Sequence, residues 1–304
     1  MSATFSITFL GTSAAIPTLR RNVSATLIAY QDIKWLIDCG EGTQRQIMRA
    51  HLGFKNLSHI FLSHEHLDHI LGIGGLLATL NMLQPVDHLT VYGSPPVLER
   101  VRQMASYIGR APHYDLRFQA LQDGLVLTHR QLECLAFPTR HHLKQSYGFI
   151  FQEKPRRRFL SEAAARLGVP EGPERRRLLA GESLYTASGT LVAPDDVLGP
   201  EEPGKKLVYI SDSLYFTELC RVARGADCLI SEATFLQTEG ALAAEAGHMT
   251  AAQAATLARD AEVKVLYLNH VSQRYAQTEH LLVEEARRIF PNTHLANDLD
   301  TIQV

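Results

Sequence analysis

Short apolar runs closed by polar or small residues recur along the chain and set its first reading. Residues 5–10, 25–30 and 34–38 are such runs, and the last two are joined by Gln31-Asp32-Ile33, a hairpin-length connection. His59-Ile60-Phe61-Leu62 reads as a buried strand, with polar stops on both sides. Residues 89–92, 125–135, 146–151, 206–210, 228–233 and 265–268 read the same way. Between them the pattern turns helical. A short helix is expected at 43–48, one at 95–108 with proline at its start, and an alanine-rich one at 251–260 that Thr250 can cap. A last helix at 278–289 is amphipathic through Leu281, Leu282, Ala286 and Ile289. Residues 70–83 are apolar with Gly72, Gly74 and Gly75 near their start, which suits a helix whose beginning packs closely on a neighbour. The order of strands and helices predicts a layered α/β structure, in which loops at strand ends converge on one edge.

Composition narrows this only a little. The 304 residues are 45% hydrophobic and 20% charged, and the formal net charge is −2, so no global basic field exists to attract nucleic acid. Any RNA contact has to come from local basic patches. No apolar run approaches a membrane span, and Met1-Ser2-Ala3-Thr4 has no secretory character. Cys39, Cys134, Cys220 and Cys228 form no CxxC pair and read as reduced thiols of a cytosolic protein.

The chemistry concentrates where the strand at 59–62 ends. Ser63-His64-Glu65-His66-Leu67-Asp68-His69 places three imidazoles and two carboxylates in seven residues. On extended backbone His64 and His66 face the same way, and Asp68 and His69 begin the next turn. Mixed imidazole and carboxylate ligands suit zinc, manganese or iron, whereas calcium takes oxygen alone. One loop can begin a two-metal site but not complete it. Further ligand-type residues follow other strands: the pair His141-His142 at a strand edge, Asp212 after 206–210, and His270 after 265–268. Neighbours on a strand face opposite ways, so at most one of the histidine pair reaches a given metal. His248 lies just before a helix, where the dipole favours bound anions. Asp38 reads as a supporting carboxylate that takes backbone or imidazole N–H groups.

From 153 to 206 the character changes. Prolines and glycines accumulate, and Arg156-Arg157-Arg158 and Arg175-Arg176-Arg177 stand among acidic residues. The stretch reads either as a solvated excursion or as an arm whose arginines grip phosphates. A short helix at 161–167 is expected within it, capped by Ser161.

With these residues assembled, the chain resembles the metallo-β-lactamase superfamily and, within it, the ribonuclease Z family of tRNA 3′-processing endonucleases. The HxHxDH loop marks the superfamily. Asp38-Cys39-Gly40-Glu41-Gly42-Thr43-Gln44, Glu232-Ala233-Thr234-Phe235, His248-Met249-Thr250-Ala251 and His270-Val271-Ser272-Gln273-Arg274-Tyr275 carry the narrower likeness. Ser211-Asp212-Ser213 stands where the family has Gly-Asp-Thr. The resemblance implies an α/β fold, the αββα four-layer sandwich, as a single domain over 1–304 with a protruding tRNA-binding arm inserted at about 153–190. It implies two Zn2+ per subunit, with Mn2+ possible as a replacement. His64, His66 and His142 would hold one ion, Asp68, His69 and His270 the other, and Asp212 would bridge them. His142 is chosen over His141 because it keeps the family's spacing to Gly148. Asp68 is implied as general base and His248 as the group serving the leaving oxygen. The implied substrate is precursor tRNA, cut to leave a tRNA 3′-hydroxyl and a trailer 5′-phosphate by a cytoplasmic homodimer. Outside this family, a small-substrate hydrolase of the same fold and a catalytically silent RNA-binding scaffold remain open. The arm speaks against the first and the full ligand set against the second.

Overall fold

The apolar runs form two seven-stranded sheets in a computed structural model that describes residues 5–108, 112–142 and 145–304. The stretch 1–4, inspected above for a signal, lies outside the described residues. Across the first sheet the strands run Thr301–Gln303, Phe5–Gly11, Ala25–Tyr30, Ile33–Ile37, Leu57–Phe61, His88–Gly93 and Asp115–Ala120. The pairing is antiparallel as far as Ile33–Ile37 and parallel beyond it. Across the second they run Thr293–Leu295, Leu266–Asn269, Cys228–Glu232, Lys206–Ile210, Tyr147–Glu153, Leu132–Pro138 and Gly124–His129, the first four parallel.

Period-two alternation decides which side chains go where. On the first sheet Phe9, Ile28, Trp35 and Phe61 point into a core shared with Phe149, Phe151, Leu207, Tyr209 and Ile230 of the second. Their neighbours Leu10, Leu27, Leu36 and Leu62 point the other way, onto Ile47, Leu76, Leu80, Val97 and Val101 of the helices Thr43–Arg49, Ile73–Leu83 and Pro95–Ser106. Val208, Ile210, Leu229 and Leu268 likewise pack on Leu219, Ala254, Leu257 and Leu282 of Glu218–Ala223, Ala251–Asp260 and His280–Arg287. The result is helix, sheet, sheet, helix, the four-layer sandwich that the family resemblance implies. Strands buried on both faces explain why the runs are continuously apolar.

Two strand assignments depart from the sequence reading. The run at 125–135 is two strands, because Arg130 adopts φ 54° and turns the chain so that His129 pairs with Leu132. Asp115–Ala120 was not anticipated: it is a sheet edge with charged and polar positions, which breaks the apolar signal.

Residues Gln152–Lys205 form a second compact unit, distinct from the one built by the rest of the chain. It has its own small core of Ala164, Val169, Leu178, Leu184, Val192, Val197 and Leu198, so it is not a solvated excursion. Arg156–Phe159 pairs antiparallel with Leu198–Glu202, and three short helices lie between, Ser161–Arg166, Pro173–Leu179 and Pro194–Val197. Ser161 does not cap the first of these, since the chain enters it one residue earlier, at Leu160. The Glu153 N–H donates to the Lys205 carbonyl at 2.9 Å, which holds the two ends of the unit side by side.

Candidate metal centre

The histidine loop is shaped by its tie to the loop at 38–40. The Asp38 N–H donates to the Phe61 carbonyl at 2.8 Å and the Cys39 N–H to the His69 carbonyl at 2.7 Å, while the Gly72 N–H donates to the Cys39 carbonyl at 2.9 Å. Gly72 is needed for that approach, since a Cβ there would stand 1.9 Å from the Gly40 carbonyl oxygen. His66 stays extended and Leu67–Ile70 makes one helical turn, so His64 and His66 face each other while Asp68 and His69 begin the turn. His64 Nε2 and His66 Nδ1 are 3.0 Å apart.

Four strand ends then converge. His64, His66, His141 and Asp212 form one group, and Asp68, His69 and His270 a second. Asp212 Oδ2 stands 3.5 Å from His64 Nε2 and 3.4 Å from His69 Nε2, which places one carboxylate between the two groups. Asp68 Oδ2 is 3.5 Å from both His69 Nε2 and His270 Nε2. These spacings match ligand atoms each ~2.1 Å from a shared ion of zinc's size at tetrahedral angles, about 3.4 Å from one another.

The histidine pair lies in a bend past the strand Leu132–Pro138 rather than on its edge, and it divides the other way from the expectation that His142 is the ligand. His141 points inward, its Nε2 3.3 Å from His66 Nδ1, whereas His142 is exposed and stands outside the cluster. The inward ring is fixed by a hydrogen bond from Nδ1 to the Gly247 carbonyl at 2.9 Å. Gly247 has φ 73°, and a Cβ there would stand 2.8 Å from His141 Nδ1. A spacing rule counted along the sequence cannot see that contact, because Gly247 lies 106 residues away.

Buried partners orient the rings. His69 Nδ1 bonds Asp38 Oδ2 at 2.8 Å, so Nε2 faces the cluster. Asp38 also accepts from the Ser63 N–H at 2.8 Å, and it holds φ 56°, a conformation rare outside glycine. His270, at φ 56°, is a second such residue at the centre. The Ala15 N–H donates to Asp68 Oδ2 at 2.9 Å. Among the described residues, His69 Nε2, His270 Nε2 and Asp212 Oδ1 are buried without a hydrogen-bond partner, all three in this cluster. Orphaned lone pairs and carboxylate oxygens aimed at one point fit divalent cations.

Charge follows the same logic. Burial alone would raise the carboxyls, but His270, His69 and His64 pull Asp212 well below the carboxylate range, and His69 and His270 lower Asp68. Burial lowers His64 strongly, so it is a neutral ring able to donate a lone pair.

His248 sits beside the cluster with Asp212 and His270. Its Nδ1 meets Glu232 Oε1 at 3.1 Å, and Glu232 is fully buried, accepting from the Ser213 N–H at 2.6 Å and the Thr234 hydroxyl at 2.7 Å. Burial alone would lower His248, but the Glu232 carboxylate outweighs it and raises the ring to about 9. Sequence reasoning assigned Glu232 no role. The available signal was a carboxylate closing an otherwise apolar buried strand, where an unpaired charge is too costly to persist.

Known proteins bear on this geometry. A family model described as Anti-Pycsar protein Apyc1 matches residues 5–162, and one described as a beta-lactamase superfamily domain matches 193–271. The chain is 44% identical over 303 residues to a protein of Bradyrhizobium diazoefficiens named Ribonuclease Z, covering 99% of this chain and 100% of that one. A protein of the same name from Archaeoglobus fulgidus is 41% identical, covering 99% and 98%. The crystal structure of the short form of human tRNase Z aligns with a TM-score of 0.69 at 25% identity, covering 98% of each chain. The metallo-beta-lactamase fold protein YhfI from Bacillus subtilis aligns at 0.71 and 20% identity over the whole of both, a likeness of fold.

Proposed function

The chain belongs to the ribonuclease Z family of the beta-lactamase superfamily, its first half also falling within the Apyc1 family model, and from that premise we propose how its centre works. It is a metal-dependent endoribonuclease that processes tRNA. Our reading is finer: the enzyme removes the 3′ trailer of precursor tRNA, leaving a tRNA 3′-hydroxyl and a trailer 5′-phosphate. The observation that carries it is the pair of ligand groups sharing Asp212.

His64, His66 and His141 would hold one ion, Asp68, His69 and His270 the other, and Asp212 both, with zinc as the native metal and manganese as a working substitute. Such ions supply Lewis acidity toward the phosphate and lower the pKa of a bound water toward ~7. The chain's own residues do the rest. Asp68, ionised and held by the Ala15 N–H, orients the attacking water and takes its proton. His248, kept protonated by Glu232, donates its proton to the 3′-oxygen as that leaves. Asp38 and the Gly247 carbonyl keep His69 and His141 in the tautomers that leave Nε2 free. We further propose that the enzyme works in the cytoplasm as a homodimer; among the described residues no helix is long and apolar enough to cross a membrane.

The test is cleavage of an end-labelled, 3′-extended precursor tRNA by the purified protein, with both new termini identified. One cut after the discriminator nucleotide, with a 3′-hydroxyl on the tRNA, is the expected result. An intact precursor beside a hydrolysed small phosphodiester would remove the tRNA reading and leave the metal centre standing.

A further inference from the structure

Next to the chain segment that carries His141 lies a cavity of about 260 Å3, which no step above uses. Its lining includes Asp123, Pro138, Arg140, Phe216, Glu218 and Arg221. Two features join it to the site. Arg140 precedes His141, and its main chain is bonded across to the segment after Asp212: the Leu214 N–H donates to the Arg140 carbonyl at 2.7 Å, and the Arg140 N–H to Ser213 Oγ at 3.1 Å. His141 joins the ligand group while Arg140, the residue before it, lines the cavity, so one backbone stretch serves both places.

The cavity's chemistry suits a base rather than a phosphate. Arg140 and Arg221 are matched by Asp123 and Glu218, so the lining has no net positive charge to hold an anion. The Arg140 guanidinium lies 4.2 Å above the Phe216 ring and is steadied by Glu218 at 3.4 Å. Its side chain is nevertheless 58% exposed, which leaves its outer face open. A guanidinium plane backed by an aromatic ring is a stacking platform of the kind single-stranded RNA uses, and it is tolerant of base identity because every base has a π-face.

We propose that this cavity is a stacking subsite for one nucleobase flanking the phosphate that is cut, with the base on the outer face of Arg140. The proposal rests on the reading of the enzyme as an RNA nuclease and adds to it a residue pair that sets where the strand lies. It makes Arg140 and Phe216 binding residues without a part in the chemical step.

The experiment is a cycle of protein and substrate changes. Wild type, Arg140→Ala and Phe216→Leu are assayed on precursor tRNA carrying a base or an abasic residue at each of the two nucleotides flanking the cut. At one of these positions, removing the base raises KM about tenfold for wild type. Arg140→Ala gives a similar rise on the intact precursor, and the two changes together give little more than either alone. Phe216→Leu keeps the cavity filled and gives a smaller rise of the same kind. Additive losses, or no loss from either abasic substrate, overturn the subsite while wild-type cleavage upholds the nuclease reading. Absence of cleavage by wild type overturns both.

Discussion

At the scale of single residues the account turns on which of two adjacent histidines faces inward. His141→Ala is expected to lower bound metal and cut activity about 100-fold or more, whereas His142→Ala stays near wild type, measured by metal content and precursor cleavage. Metal loss in His142→Ala with full retention in His141→Ala would reverse the assignment. A pH prediction concerns His248. Its pKa is raised, so the proton it donates is present below about 9 and lost as pH rises through that value. Activity therefore has an alkaline limb set by this ring. Glu232→Gln removes the carboxylate that raises the ring most and leaves burial, which lowers it, opposed only by the weaker pull of Asp212, so the limb moves to lower pH in a kcat–pH profile. An unmoved limb would separate His248 from the acid step. Ligand types were legible in the sequence: His64, His66, Asp68, His69, Asp212 and His270 all enter the cluster the strand-end argument assembled. The choice between His141 and His142, the part of Glu232 and the contact of Ala15 with Asp68 were not, because each depends on a partner far away in the chain.

At the scale of elements, strand ends did the predictive work. Continuous apolar runs made the parallel strands recognisable, and their carboxyl ends carry the site because the chain leaves the sheet there. The insert was harder to read, because its short elements share a small core of seven buried apolar residues, too few and too scattered to set up a periodic pattern. The helix Ala251–Asp260 is capped by Thr250 as the sequence suggests, and the structure adds a full capping box: Thr250 Oγ1 accepts from the Gln253 N–H at 3.2 Å, and Gln253 Oε1 accepts from the Thr250 N–H at 2.9 Å. Thr250→Ala should lower unfolding stability by about 1 kcal/mol in urea titrations. No change in the midpoint would mean the box contributes nothing to the fold.

At the scale of the molecule, substrate recognition is expected to reside partly in the unit Gln152–Lys205, by local charge, since the whole chain carries only −2. Its arginines are not equivalent. Arg157 is engaged by Asp195 and the Gly199 and Leu198 carbonyls, and Arg175 lies over Phe159 and pairs with Glu171. Such engagement explains why a basic triplet cannot be read directly as a phosphate grip. Arg157→Ala is therefore expected to reduce the stability of the unit, whereas Arg158→Ala and Arg176→Ala weaken tRNA binding and flatten its salt dependence by about one phosphate contact each. An unchanged salt slope in both would remove these two from the interface. The central claim, that one shared carboxylate joins two ligand groups into the centre that cuts RNA, is tested most directly by titrating zinc or manganese into metal-stripped protein while following precursor tRNA cleavage. Cleavage absent from the stripped protein and complete at two ions per chain is the predicted result. Full cleavage without metal, or saturation at one ion per chain, would contradict it.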